Sequence, residues 1–427
     1  MKESLKKIVI VLLIFEARLV LWRYKPRIVG ITGSVGKTST KDAIAAVLSS
    51  RYIVRKSQKS FNSELGVPLT VLGLDTAWGS AKGWILNLLK GLWCVVGPHN
   101  YPEWLVLEMG VDHPGDMERL SRWVKLDAAV VTRVGHMPVH VEFFPSTTGV
   151  LEEKGKILWA LKPRGDAFLA YDDEGVRGLK EKTKSRVHTF GYDAEADVHA
   201  DYQDTLFEGD VPTGITFKVL FDDKVAPIRI EGVLGRQFIY PVLAAVSVGM
   251  AQGLNIVEIT DALEHYETPP GRMHLLKGIQ NTTIIDDTYN ASPIAVAEAL
   301  RVLEQLKGRG RRIAVLGNMA ELGAHSEEAH REAGKEAVPA VDVLITVGVF
   351  AHNIALAARE GGLSSVISFD TASLAGEHLV GMLRPNDIIL IKGSQSIRLE
   401  RAVERLMAEP DRKESLLVRQ GKAWKER

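Results

Sequence analysis

The chain of 427 residues is long enough for two or three domains, and 46% hydrophobic with 25% charged residues excludes a disordered, collagenous or low-complexity protein. Lysine plus arginine and aspartate plus glutamate both number 53, so the formal net charge is zero, which disfavours a dedicated nucleic-acid binder. A single cysteine, Cys94, can form neither an intrachain disulfide nor a Cys-x-x-Cys zinc site, so the chain reads as cytosolic or facing the cytosol.

Residues 1–24 form an apolar segment. Lys2, Lys6 and Lys7 precede Ile8–Phe15, an unbroken run of eight, and Glu16-Ala17-Arg18 separates it from a second short run, Leu19–Trp22. Such a run is far short of the roughly 20 residues that span a bilayer, and no small-x-small cleavage pattern follows it. Two readings stay open. One is a helix or strand buried against the first domain; the other is an interfacial helix whose Lys2, Lys6, Lys7, Arg18 and Arg23 meet anionic head groups.

Arg27–Thr32 reads as a strand and Lys37–Leu48 as an amphipathic helix. Between them lies Gly30-Ile31-Thr32-Gly33-Ser34-Val35-Gly36-Lys37-Thr38-Ser39, a compact form of the phosphate-binding loop in which Ile31 takes the place of the usual first glycine. Backbone N–H groups of such a loop, with a helix N-terminus behind them, bind phosphate. Lys37 would reach the β- and γ-phosphates of a nucleotide, and the Thr38 hydroxyl would ligate Mg²⁺. No Asn-Lys-x-Asp signature follows, so a GTPase is excluded.

Further along, Trp78, Trp84, Leu88, Leu92 and Trp93 recur at near-helical spacing with Lys82 and Lys90 between them. Most such stripes are core, but residues 78–96 are also what a second membrane-surface helix would look like. Trp104–Glu108 and Ala128–Thr132 are strand-like. Glu108 ends its strand at the carboxyl edge of the sheet, where ligands of α/β folds sit. A strand-end glutamate is often only a cap, and the His140 of Val139-His140-Val141-Glu142 would by itself be structural. Together with the phosphate loop they become candidate metal ligands. Residues 193–230 alternate and are rich in Thr, Val and Phe, which predicts antiparallel strands inserted in the first domain. Pro269-Pro270-Gly271 breaks a helix and divides a domain of residues 25–270 from one of residues 271–427. The second contains strands Thr283–Asp286, Arg312–Leu316, Val343–Val347 and Asp387–Lys392, and a helix over Pro293–Leu306. The fold class is therefore α/β: a P-loop ATPase domain with a mainly parallel sheet and a small antiparallel insertion, then a Rossmann-like carboxyl-terminal domain.

These residues resemble the Mur ligase family, most closely its MurF type. The resemblance runs from about Arg27 to the carboxyl-terminal region. It rests on Thr32–Thr38, Phe61–Pro68, Leu107–Gly110 with His113–Asp116, His140–Phe143, Lys154-Gly155, Asp286–Pro293, Gly317–Gly323 through His330, and Lys392-Gly393-Ser394, in that order. It implies ATP-driven amide-bond formation. A substrate carboxylate attacks the γ-phosphate to give an acyl phosphate, and an amine such as D-alanyl-D-alanine displaces phosphate from a peptidoglycan precursor peptide. The implied nucleotide contacts are Gly33, Ser34, Val35, Gly36, Lys37, Thr38 and Ser39 of the loop, the phosphate-contacting Arg272, and Asp287, Tyr289 and Asn290 from the second domain. The implied catalytic residues are Lys37, Glu108, His140 and Lys154, and two Mg²⁺ ions are held by Thr38, Glu108, His140 and a carbamylated Lys154. Without that role, Lys154 would be a surface lysine paired with Glu152 or Glu153.

Three departures from the family pattern stand out. Only 29 residues precede Gly30, which leaves no room for the usual amino-terminal domain that holds a UDP-sugar. Gly235-Arg236-Gln237-Phe238 replaces a His-Asn-rich nucleotide contact, and Arg133 stands where the pattern has asparagine. The expectation is a cytoplasmic monomer, with peripheral contact to the inner face of a membrane through residues 1–23 and 78–96. Its rivals are a poly-γ-glutamate-synthase-like ligase with another acceptor and a non-catalytic ATP-binding partner of a ligase.

Overall fold

The computed structural model describes the whole chain except residues 1, 2, 59, 60, 78, 79, 99, 139, 223, 267, 307–309, 422, 423 and 425–427. Lys2, Trp78 and Val139 therefore lie outside the described residues. Strands β1 (Arg27–Thr32), β2 (Val54–Lys56), β3 (Trp104–Glu108), β4 (Leu126–Val131), β5 (Leu161–Ala170), β6 (Arg186–Gly191), β7 (Val198–Glu208), β8 (Val211–Phe221) and β9 (Lys224–Glu231) form one sheet. Its order is β2-β3-β1-β4-β5-β6-β7-β8-β9. Every pairing from β2 to β7 is parallel, and β7–β8 and β8–β9 are antiparallel.

The sequence pattern follows from this change of sense. Apart from Glu108 and Asp127, strands β3 and β4 are apolar because helices cover both faces of a parallel sheet, and Leu105, Leu107, Ala129 and Val130 are fully buried. In β9 buried residues alternate with exposed ones, because one face of the antiparallel ribbon meets water. The antiparallel strands expected over residues 193–230 are β7, β8 and β9, and the parallel sheet continues into them because β7 pairs with β6.

The second sheet contains β10 (His274–Lys277), β11 (Thr283–Asp287), β12 (Arg312–Gly317), β13 (Val343–Val347), β14 (Val366–Phe369) and β15 (Ile388–Lys392), in the order β10-β11-β15-β12-β13-β14. Only β10 runs antiparallel to its neighbour. Alternate residues of its strands feed two cores. Ile285, Ala314, Leu316 and Leu344 pack with Ala299, Ala333 and Ala358 in a cluster continuous with that of the first sheet. Ile284, Val315, Ile345 and Ile389 pack with Leu379, Val403 and Leu406 on the other face. This is the doubly wound arrangement, whose ligand crevice lies beyond the carboxyl ends of the strands.

Helix α1 (Glu3–Tyr24) is one continuous helix of 22 residues, so Glu16-Ala17-Arg18 does not divide it. Glu16 and Ala17 turn inward while Arg18 faces out. Helix α2 (Lys37–Ser49) follows the phosphate loop, and α3 (Gly66–Leu72) and α4 (Ala81–Val96) follow β2. Helix α1 packs on α3 and α4.

Candidate active site at the junction of the two sheets

Parallel pairing decides which side chains meet at the end of the first sheet. The β1–β3 register sets Ile31 beside Glu108, so the carboxylate emerges next to the phosphate loop. Gly33 has φ +143°, and a Cβ there would lie 1.9 Å from Thr132 Oγ1. Gly36, at φ +83°, is the N-cap of α2 and offers no capping side chain, which leaves first-turn amides for a ligand. The loop is pinned from behind: Ser34 and Val35 donate their amides to the Arg133 carbonyl at 2.9 and 3.1 Å, and Thr132 Oγ1 donates to Val35 O at 2.7 Å. Lys37 Nζ bends back onto Gly33 O at 2.9 Å. Burial lowers the pKa of this amine, with the Arg272 charge adding to the effect and Glu108 opposing it.

Glu108 is buried and accepts hydrogen bonds from Thr38 Oγ1 at 2.9 Å and Asn62 Nδ2 at 3.1 Å. Arg272 donates to Thr38 Oγ1 at 2.9 Å and stacks over the Tyr289 ring, 4.1 Å from its centroid. Among the described residues, Arg272 Nε and Ser34 Oγ are buried without a hydrogen-bond partner, a costly state unless a ligand supplies acceptors. Asn62 was quoted above only as part of a motif; its contact with Glu108 joins positions 46 apart in the chain and becomes visible only in three dimensions.

Lys154 lies in the last turn of helix α6, which takes its place after α5 (Asp116–Ser121) and spans Thr147–Gly155 with Ser146 as N-cap. Its side chain is 1% exposed and forms no ion pair among the described residues. Desolvation first, and the nearby Lys37 charge second, push its pKa down to about 7, against the pull of Asp112, Asp116 and Glu108. The alternative of a surface lysine paired with Glu152 or Glu153 is overturned. Glu153 instead binds Lys156 Nζ at 2.7 Å and the Met117 amide at 3.0 Å.

His140 adopts φ +69° and sits between two carboxylates, with Nδ1 2.5 Å from Glu321 Oε2 and Nε2 3.5 Å from Asp112 Oδ1. The imidazole beside it holds the Glu321 carboxyl below the usual range. Among the described residues no three His, Cys, Asp or Glu side chains are grouped to hold a metal ion. Of the four expected metal-site residues, Thr38 and Glu108 touch each other, Lys154 shares their electrostatic field, and His140 faces the second domain.

A crevice lies between the two sheets. Ser34, Val35, Gly36 and Ser39 line one side, Asp287, Tyr289 and Asn290 the other, with Arg272 between them. Gln237 and Phe238 also line it. Lys392, expected only as part of a motif, donates to Asp287 Oδ2 at 2.6 Å and Asn290 O at 3.0 Å, as its parallel pairing with Asp287 requires. Arg133 makes a bidentate pair with Glu298 at 2.5 and 3.0 Å and stacks over Tyr240. The residue that departs from the family pattern thus joins the two domains.

The Mur ligase middle domain family matches residues 31–249, and the Mur ligase glutamate ligase domain family matches residues 271–395. The UDP-N-acetylmuramoyl-tripeptide--D-alanyl-D-alanine ligase of Bacillus subtilis is 31% identical over 390 residues, covering 90% of this chain and 76% of the relative. The enzyme of that name from Escherichia coli is 29% identical over 388 residues, covering 89% and 76%. The structure of MurF ligase from Thermotoga maritima in complex with ADP superposes with a TM-score of 0.78 at 26% identity, covering 95% of this chain and 84% of that one. With the phosphate loop, the strand-end Glu108 and the shared crevice in place, the chain belongs to the Mur ligase family.

Proposed function

We propose that the protein is an ATP-dependent amide-bond ligase that joins D-alanyl-D-alanine, or a similar amine, to a peptidoglycan precursor peptide. The observation that carries this reading is the half-satisfied Arg272 guanidinium, which lines the crevice beside the phosphate loop and binds Thr38, itself bonded to Glu108, with Lys37 and the buried Lys154 close behind. The names of the relatives supply the substrate class. In the reaction a carboxylate oxygen of the peptide bonds to the γ-phosphorus of ATP and ADP leaves. The amine nitrogen then bonds to the acyl carbon, phosphate leaves, and the amine gives up a proton.

Both reactants of the first step are anions, so positive charge has to hold them together. Lys37 and Arg272 supply it, and the bare Nε of Arg272 has a free donor for a phosphate oxygen. Thr38 and Glu108 offer the hard oxygen donors that suit Mg²⁺. A Lys154 carbamate would add another, and His140 completes the assigned set for two ions. Bound there, Mg²⁺ would neutralise the charge that develops on the phosphoryl oxygens. Asp287, Tyr289 and Asn290 would bring the second domain onto the nucleotide and exclude water from the acyl phosphate. The division at residues 24/25 and 270/271, a monomeric state, a cytoplasmic location and peripheral membrane contact belong to the same proposal.

Phosphate release by the purified chain, measured with pairs of acidic acceptors and amines, tests it. Turnover is expected with UDP-N-acetylmuramoyl-tripeptide and D-alanyl-D-alanine. Turnover confined to a glutamyl acceptor would move the protein to a different ligase class. ATP binding without turnover on any pair would leave a non-catalytic partner.

A further inference from the structure

The faces that α1 and α4 turn away from the protein are apolar. Glu16 of α1 lies directly over Gly91 of α4, where a Cβ would come 2.0 Å from its Oε2, and Tyr24 donates to Cys94 O at 3.2 Å. The two helices are thereby fixed side by side with Val9, Leu13, Ala17 and Val20 of α1 and Trp84 and Cys94 of α4 buried. The outward stripes remain: Ile8, Phe15 and Trp22 on α1 are 56%, 59% and 76% exposed, and Leu89, Trp93 and Val96 on α4 are 60%, 58% and 63% exposed. A helix whose large apolar residues stay exposed opposite its covered side lacks a partner for that stripe.

Charge identifies that partner. Among the described side chains, the exposed charges of the two helices are Lys6, Lys7, Arg18, Arg23, Lys82 and Lys90, all cationic. A second copy docked isologously would set these cations against each other. No described helix is long and apolar enough to cross a membrane, so a bilayer would be met at its surface. At the end of the α1 stripe a groove is lined by Arg18, Lys25, Lys125 and Lys162 with the indoles of Trp22 and Trp123. Lys162 is engaged by Asp127 at 2.7 Å, and Lys125 donates to Ser121 O at 2.9 Å. Arg18 and Lys25 form no ion pair among the described residues. Two free cations beside two indoles suit a phosphodiester at the boundary between head groups and acyl chains.

We infer that α1 and α4 form a docking face for the surface of an anionic bilayer, with the groove of Arg18, Lys25, Lys125 and Lys162 seating a lipid phosphate. This adds a specific site and lipid class to the proposed peripheral contact. It can be tested without turnover, so its failure would leave the ligase reading untouched. The full chain is sedimented with vesicles of phosphatidylglycerol and phosphatidylcholine in equal parts, and with phosphatidylcholine alone.

Binding is expected only to the first, weakening as salt rises from about 0.1 M to about 1 M and the screening length falls from about 10 Å to about 3 Å. Arg18→Gln with Lys25→Gln should lower partitioning roughly 25-fold, about fivefold per charge, while melting temperature and phosphate release stay unchanged. Phe15→Gln with Leu89→Gln should weaken binding to the same vesicles through the apolar face. Equal binding to both vesicle types, or undiminished binding by the charge variant, would overturn the assignment. So would quenching of tryptophan by inorganic phosphate in a chain that ignores vesicles, which marks a site for free phosphate. A dimer in sedimentation velocity that Phe15→Gln dissolves, without vesicle binding, would make the face a contact between copies.

Discussion

The two walls of the crevice are built on opposite terms. On the second wall the charges are paired: Lys392 bridges Asp287 and the Asn290 carbonyl, and Arg419 pairs with Glu400 at 3.0 Å while holding the Thr288 carbonyl at 3.0 Å. On the phosphate-loop side the charges are short of partners. Lys37 leans on a backbone carbonyl, Lys154 is buried without a counter-ion among the described residues, and Ser34 Oγ and Arg272 Nε are bare. A paired charge stabilises its own wall, whereas an unpaired buried one raises the energy of the empty site and is satisfied when anions arrive. The first wall is therefore suited to chemistry and the second to positioning.

Mutations on the two walls should separate these roles. The largest effect on turnover is expected for Lys37→Ala, roughly a thousandfold loss of phosphate release with an unchanged or slightly raised melting temperature, because a strained buried cation is removed. A melting temperature that falls with the activity would instead make Lys37 part of the scaffold. Lys154→Ala should lose roughly a hundredfold, with partial rescue by acetate, and Lys154→Arg should stay equally inactive because a guanidinium cannot become an oxygen ligand.

The pH dependence of wild type carries the same sign. Carbamylation needs the neutral amine, so activity should fall as pH drops through about 7 and the amine takes up its proton. Full activity of Lys154→Arg would reduce this residue to a buried cation of structural importance. On the second wall the order reverses. Lys392→Met leaves Asp287 buried without its partner and should cost about 3–5 kcal/mol in a denaturant titration. Unaltered stability, with only the KM for ATP raised, would erase the contrast between the walls.

Much of the first wall could be read from the sequence because it is local. Ten consecutive residues, Gly30–Ser39, carry the strand, the loop and the helix start, and β1, β3 and α2 lie within a residue of where the pattern predicts them. The strands β5 and β6 escaped because Lys162-Pro163-Arg164 and Arg186 break the apolar run that marks a buried parallel strand. The antiparallel strands were foreseen but their sheet was not, since alternation tells how a strand is covered and nothing of which strand it pairs with. The contacts that close the site join distant positions: Thr38 to Arg272 is 234 residues apart and Arg133 to Glu298 is 165. No local periodicity encodes such pairs. Lys154 gave a motif but not its burial, which decides between a surface ion pair and a depressed amine.

The Arg133–Glu298 pair also bears on how the crevice opens. Arg133 follows β4, Glu298 lies within the Pro293–Gln305 helix, and their side chains are 11% and 13% exposed. The Tyr240 ring backs the guanidinium 4.0 Å from its centroid, and its hydroxyl is itself tied to Asp172 at 2.6 Å. Any hinge movement that parts the walls has to separate this bidentate pair. Being largely shielded from solvent, the pair is weakly screened by salt. Opening the crevice by such a movement would therefore cost the release of one shielded arginine from one glutamate.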